Sequence, residues 1–236
     1  MKRLLFSILL ILTSLTTLAQ KTNKEEWLPT GVWPFLNQKF KVGIIYAGIV
    51  RPSKTQVPCN IHIGTQALLY SKGDTIMEAL PGSVYRIEFP DETYIAINGN
   101  SFGKIVHEDS VGKVIRVREL DKDEMENRRK DASLLGSFNL MGNGDFTGMN
   151  IDLSGQYDPH PEEKPLPVTD TYYYIFKNEL FLANEKNILS RIDQSRRREY
   201  RAYTRSAEVI SSSEKSMVKQ WIDFFVNYSK NNSIKR

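Results

Sequence analysis

The chain has 236 residues, with 32 Lys and Arg against 28 Asp and Glu, three His and a single Cys. Charges this close to balance exclude the concentrated basic footprint of a dedicated nucleic-acid binder. One cysteine excludes an intramolecular disulfide framework, so ordinary packing must hold the fold together.

The first twenty residues, MKRLLFSILLILTSLTTLAQ, read as a secretory signal. Lys2 and Arg3 form a basic start, Leu4 to Leu12 an apolar run broken only by Ser7, and Thr17-Leu18-Ala19 a small-residue cleavage site. The apolar run falls short of the roughly 20 residues a spanning helix needs, so cleavage near Ala19 or Gln20 is expected rather than a retained anchor. Cys59 lies too far downstream of that site to accept a lipid, and no later apolar run is long enough for a transmembrane span. The expected product is periplasmic or extracellular and is not a lipoprotein.

Residues 21–120 predict a β-rich domain with an aromatic lead-in. In the lead-in, Trp27, Trp33 and Phe35 surround Pro29 and Pro34, which rule out a regular helix. Short runs rich in Val, Ile, Tyr and Phe then predict strands near 40–50, 57–63, 66–70, 75–79, 84–89, 93–97, 101–107 and 113–119. Asn98-Gly99 is the clearest hairpin signal, since both residues tolerate the positive φ of a type I′ turn. Alternation at 84–89 assigns Val84, Arg86 and Glu88 to one face and Tyr85, Ile87 and Phe89 to the other.

Residues 121–168 predict a charged helix or linker followed by an irregular loop rich in Gly and Pro. Residues 169–236 predict a strand pair turning at Lys177-Asn178-Glu179, then helices over 184–205 and 212–229. Ile188, Ile192, Tyr200 and Tyr203 supply the first helix's apolar stripe. Met217, Val218, Trp221, Ile222, Phe225 and Tyr228 supply the second, whose start is marked by Ser211 and Glu214 in capping-box spacing. The fold class is therefore α+β: an antiparallel β-meander (sandwich, roll or partly open barrel), then a strand pair and two C-terminal amphipathic helices.

Candidate chemistry is sparse. Cys59 and His62 lie three apart on a predicted strand, so their side chains point to opposite faces and cannot pair as thiol and imidazole. Cys59 is expected to pack inward with Val57, Ile61 and Ile63, while His62 joins Asn60 on an outward polar face. His107 and His160 are isolated, and no zinc-ligand spacing appears, so no metal or catalytic residue is assigned. Asn143, Asp145, Asn150 and Asp152 offer oxygen atoms, but their spacing is not that of a calcium loop. The nucleophile-elbow G-x-S-x-G and the Gly-rich phosphate loops are missing, and no cofactor is implied.

The lead-in TGVWPFL, the run NIHIGTQALLYSKGDTIMEA and the closing YYYIFKNELFLANEKNILSRI before a last helix resemble uncharacterised secreted proteins common in Bacteroidetes. The resemblance implies export to the periplasm or surface of a Gram-negative bacterium and carries over no active-site residue. The functional expectation is a non-enzymatic binding module whose partner is an envelope protein, a glycan or an anionic lipid. Aromatic and arginine side chains are enriched at binding surfaces. Trp27, Trp33, Arg196, Arg197, Arg198 and Arg201 are accordingly the expected contact residues. Two alternatives stand beside it: an envelope- or glycan-directed hydrolase using paired carboxylates, and a carrier of a small apolar ligand such as a lipid.

Overall fold

The computed structural model describes residues 27–48, 51–98, 101–131, 158, 163–205 and 213–227. Ten antiparallel strands form one sheet in the order β10-β9-β8-β7-β6-β5-β1-β2-β3-β4. They are β1 (Lys41–Ala47), β2 (Ser53–Ile61), β3 (Leu68–Lys72), β4 (Thr75–Glu78), β5 (Val84–Glu88), β6 (Thr93–Ile97), β7 (Ser101–Glu108), β8 (Gly112–Leu120), β9 (Val168–Phe176) and β10 (Glu179–Leu182). The sheet continues across the charged segment after β8, because β9 pairs with β8 in unbroken register from Gly112↔Phe176 to Leu120↔Val168. The β9–β10 turn is the two-residue type I′ kind, with Lys177 and Asn178 both at positive φ (52° and 65°).

Four strands separate β2 from β8. In a flat sheet that spacing would hold them roughly 24 Å apart. Yet Gln66, just past β2, donates from Nε2 to the Arg118 carbonyl of β8 at 3.0 Å. The sheet must therefore curl upon itself. Its concave side is filled by Ile45, Cys59, Ile61, Leu68, Val84, Ile87, Phe89, Tyr94 and Phe102. Gly43 is part of this fit, since a Cβ there would meet the Phe89 ring at 2.9 Å and Cys59 Sγ at 3.1 Å.

The lead-in closes the opening. Thr30 bridges Pro165 on one side and Phe35 bridges His62 on the other. Backbone bonds from Leu166 N to Pro29 O (2.7 Å), Leu36 N to Ile61 O (2.9 Å) and Ile63 N to Pro34 O (2.9 Å) fix both ends. Trp33, Phe35, Phe40 and Leu69 bury together beneath it, with Trp27 packed at the margin. Each buried aromatic of this size contributes roughly 1.5–3 kcal/mol, which makes the strap part of the core.

Helix α1 (Lys122–Asp131) leaves β8 with Asp121 as its cap, Oδ1 accepting from Glu124 N at 2.9 Å. The C-terminal helices are α2 (Glu185–Arg191), α3 (Arg197–Thr204) and α4 (Glu214–Trp221), the last continued by a π-helical turn, Ile222–Val226. The single helix expected over 184–205 is thus two helices. Ile192 and Asp193 are extended, with ψ of 156° and 147°, and a 3₁₀ turn, Gln194–Arg196, separates the pieces. The cause is legible in the spacing, because no apolar side chain lies between Ile192 and Tyr200 to hold a helix onto the sheet. The last helix is capped by Ser213, which accepts from Ser216 N, rather than by Ser211, which lies outside the described residues.

These helices cover the β8–β10 end. Tyr172 and Tyr174 of β9 turn toward them, while Tyr173 and Ile175 turn to the other face against Ile97, Ile115 and Val117. Tyr174 is fully buried, and its hydroxyl sits 2.9 Å from the Met217 carbonyl and 2.8 Å from Gln220 Oε1. Trp221 stacks on Phe225 (centroids 4.9 Å apart) and donates from Nε1 to Asp109 Oδ2 at 2.9 Å. Asp109 also accepts from the Val111 and Gly112 amides and pairs with His107 Nε2 at 3.0 Å, pinning the β7–β8 turn to α4. Burial pushes the Asp109 carboxyl up, but bonds from Trp221, Val111, Gly112 and His107 outweigh it, and the net direction is down.

The alternation expected at β5 breaks at a bulge. Tyr46 pairs with Arg86 and Ala47 with Val84, so Tyr85 is left over and exposed while Val84 joins Ile87 inside. Replacing Asp109 by Ala strands several donors at once. The expected loss is about 2–4 kcal/mol in urea unfolding with an unchanged denaturant slope; a loss under about 1 kcal/mol would mean the turn does not anchor α4.

Candidate functional site

The β2–β3 hairpin carries both residues of the Cys59–His62 pair, and the structure keeps them apart. Cys59 is fully buried, and burial raises its thiol to about 12, so it is no thiolate at neutral pH. His62 corrects the expectation of an outward polar face: it is 3% exposed. Asn60 is equally buried. The strap is the reason, because it lies over the side of β2 that alternation assigns to solvent. Asn60 Oδ1 accepts from Asn37 N at 3.0 Å, and its Nδ2 donates to the Asn37 and Lys39 carbonyls at 2.8 and 3.2 Å. His62 Nδ1 accepts from the Gly64 and Thr65 amides at 3.2 and 3.1 Å, which requires a neutral ring.

Beside this turn the roll opens into a cleft of about 570 Å³. Four stretches of chain converge on it: the turn after β2 (Gly64, Thr65, Gln66), the start of β7 (Ser101), the run from the end of β8 into the cap of α1 (Glu119 to Asp123) and the start of β9 (Thr169). Its lining is mostly hydroxyl, amide and carboxylate. Gln66 sits at its wall with φ of 59°, a backbone state unusual for a side chain of this length. Two side-chain bonds compensate, to Ile63 O at 2.9 Å and Arg118 O at 3.0 Å. A second rim cleft of about 310 Å³ lies at Phe89 to Thr93 with Ile105 and Glu108, where Asp91, Glu92 and Glu108 pair with Lys41, Lys104 and Lys113.

Between the roll and the helices runs a charged row that the sequence pattern did not single out. Tyr94, Lys104, Arg116 and Tyr172 are successive cross-strand neighbours. Arg118 grips Asp170 through two bonds of 2.8 Å, and Arg116 reaches Glu214 of α4 at 3.1 Å. Glu92 accepts from Lys104 Nζ (2.8 Å) and the Tyr94 hydroxyl (3.0 Å). Burial, then Asp170, raises the Tyr172 hydroxyl to about 12. The only warning was the alternation of Val114, Arg116 and Arg118 along one side of their strand. Cations and anions are matched here, so the row joins the sheet to the start of α4.

The expected contact residues lie in two separate clusters. Trp33 is buried, with Nε1 donating to Asn37 O at 2.9 Å, and Trp27 is half-buried beside it, so Trp33 presents no free face. Arg196 pairs with Glu199, donates to the Asp223 carbonyl at 3.0 Å and lies over the Phe224 ring. It therefore clamps α3 onto the π-helical turn. Arg197 is half-buried, while Arg198 and Arg201 are exposed on α3. His160 and the oxygen-rich segment from Asn143 to Asp152 lie outside the described residues. Among the described residues no group of three or more His, Cys, Asp or Glu side chains is placed to hold a metal ion, and no helix is long and apolar enough to cross a membrane.

Comparison of the chain with protein-family models, with curated proteins and with solved structures found no match.

Burial lowers the His62 imidazole from its ordinary 6.5 to about 4. The folded state resists protonation that the unfolded chain accepts, so stability falls as pH drops from 6.5 toward 4. The full effect is about 3 kcal/mol. His62→Gln removes this term, and urea unfolding of both proteins at pH 7 and pH 4.5 should show a smaller acid loss in the variant. Parallel losses would place the imidazole in water.

Proposed function

We propose that the protein is an exported, non-enzymatic binding module of the cell envelope, and that the rim cleft beside the β2–β3 turn receives its ligand. The cleft carries this reading. A volume of about 570 Å³ lies within the range of small-ligand sites, and four stretches distant in sequence build it on the curled sheet. Export rests on the first twenty residues and on the likeness to secreted Bacteroidetes proteins. Neutral or cationic polar ligands suit the lining better than anionic lipid, since Glu119, Asp121 and Asp123 repel phosphate.

Those same three carboxylates favour a second reading, a hydrolase acting on a polar polymer through an acid–base pair. The lipid-carrier reading draws no support from the roll, whose concave side is occupied by packed side chains.

A panel of envelope saccharides and amines tests the proposal by thermal shift. A true ligand at about 100 times its Kd adds about 2.7 kcal/mol and raises Tm by several degrees. Ser101→Arg, which adds bulk to the cleft lining, should abolish that shift without lowering the unliganded Tm. Shifts that survive Ser101→Arg would put the ligand elsewhere, and release of new chain ends from a saccharide would establish the hydrolase instead.

A further inference from the structure

Helices α3 and α4 carry one acid each, and both acids are already engaged. Glu199 is held by Arg196 at 3.0 Å, and Glu214 reaches Arg116 of the sheet at 3.1 Å. Arg198, Arg201 and Arg205 are exposed, and none forms an ion pair among the described residues. Spacings of three and four put them in one row about 10 Å long, on the side of α3 opposite the buried Tyr200. Lys219 of α4, exposed and lying over the Tyr203 ring at 5.8 Å, adds a cation beside α3.

The row works against the helix that bears it. Arg197 and Arg201, then Arg201 and Arg205, are like charges four residues apart. Arg197 and Arg198 also stand in the first turn, where the helix dipole disfavours cations. Tyr200 packed on Phe224 and the Arg196 clamp hold α3 in place despite this. A counter-charge arriving from outside removes the repulsion.

The surroundings narrow what brings that charge. Neither rim cleft includes a residue of α3 or α4, and no large exposed apolar side chain lies on these helices. A convex row encloses no small anion, and it offers a protein partner no apolar anchor. Guanidinium groups do grip phosphates in bidentate fashion without a pocket, and a bilayer presents phosphates as an extended field.

We propose that α3 docks the protein onto an anionic phospholipid bilayer, with Arg198, Arg201 and Arg205 facing the headgroup phosphates. The contact stands apart from the rim cleft, whose lining contains none of these residues.

Sedimentation of the purified protein with phosphatidylglycerol vesicles, against phosphatidylcholine vesicles, tests the docking. Each arginine at an anionic surface contributes about fivefold to partitioning, so changing Arg198, Arg201 and Arg205 together to Gln should weaken binding about 100-fold. Tm should hold or rise in that variant, because repulsion along α3 is relieved. Changing Arg51, Lys54 and Lys72 to Gln removes the same charge from exposed positions at the β1–β3 end of the sheet. That control should alter binding by less than about twofold. Equal weakening by both variants would reduce the effect to net charge and overturn the proposal. Equal binding to phosphatidylcholine would overturn it by making the attraction apolar. A lower Tm with unchanged binding would make the row structural, and retention on polygalacturonate without vesicle binding would assign it to an acidic glycan instead.

Discussion

A ten-stranded sheet can lie open or close, and here one short aromatic segment decides. The strap from Trp27 to Phe40 spans the gap between the β2 end of the sheet and the residues leading into β9, with backbone hydrogen bonds at both ends. It covers the far side of β2, makes Asn60 and His62 interior residues, and brings the β2–β3 turn against β8. The concave core, the geometry of the rim cleft and the neutral state of His62 all follow from that closure. Two prolines in the strap suit the task, since they have no N–H to satisfy while their carbonyls accept from Leu166 and Ile63.

The opposite end of the sheet solves a different problem. β9 has two apolar faces, one toward Ile97, Ile115 and Val117 and the other toward the helices, so the sheet there needs cover on both sides. Aromatic packing around Tyr174, Trp221 and Phe225 supplies one cover, and the Asp109 turn fixes its register. Between the two ends the matched charges of Lys104, Arg116, Arg118, Glu92, Asp170 and Glu214 fill space that neither apolar cluster reaches. The pairs are partly exposed, so truncating one member costs less than it would in a buried pair.

Much of the architecture was readable because strand periodicity is local. Eight strands ahead of the charged segment, the Lys177-Asn178 turn and the burial of Cys59, Ile188, Trp221 and Phe225 all came from alternation or helical spacing. What escaped was set by contacts distant in sequence. Alternation makes Asn60 and His62 solvent-facing, and only a segment some 25 residues earlier overrides it. The bulge at Tyr85 reverses an inside–outside assignment through the register of β1. Trp33 read as a contact residue because nothing in the lead-in reveals what it folds against. The rim cleft was invisible for the same reason: Gln66, Ser101, Glu119 and Thr169 share no spacing and meet only when the sheet curls.

Closure by the strap predicts that amides far apart in sequence open as one unit. Native-state hydrogen exchange at Leu36, Ile63 and Leu166, whose amides are the strap's backbone links, reads this directly. Asn60→Ala removes the side chain that holds Asn37 and Lys39, and it should lower protection at all three amides by a similar factor, including Leu166 at the far end. Loss of protection at Leu36 and Ile63 with Leu166 unchanged would show that the two ends of the strap act independently, and that the sheet's curl does not depend on it.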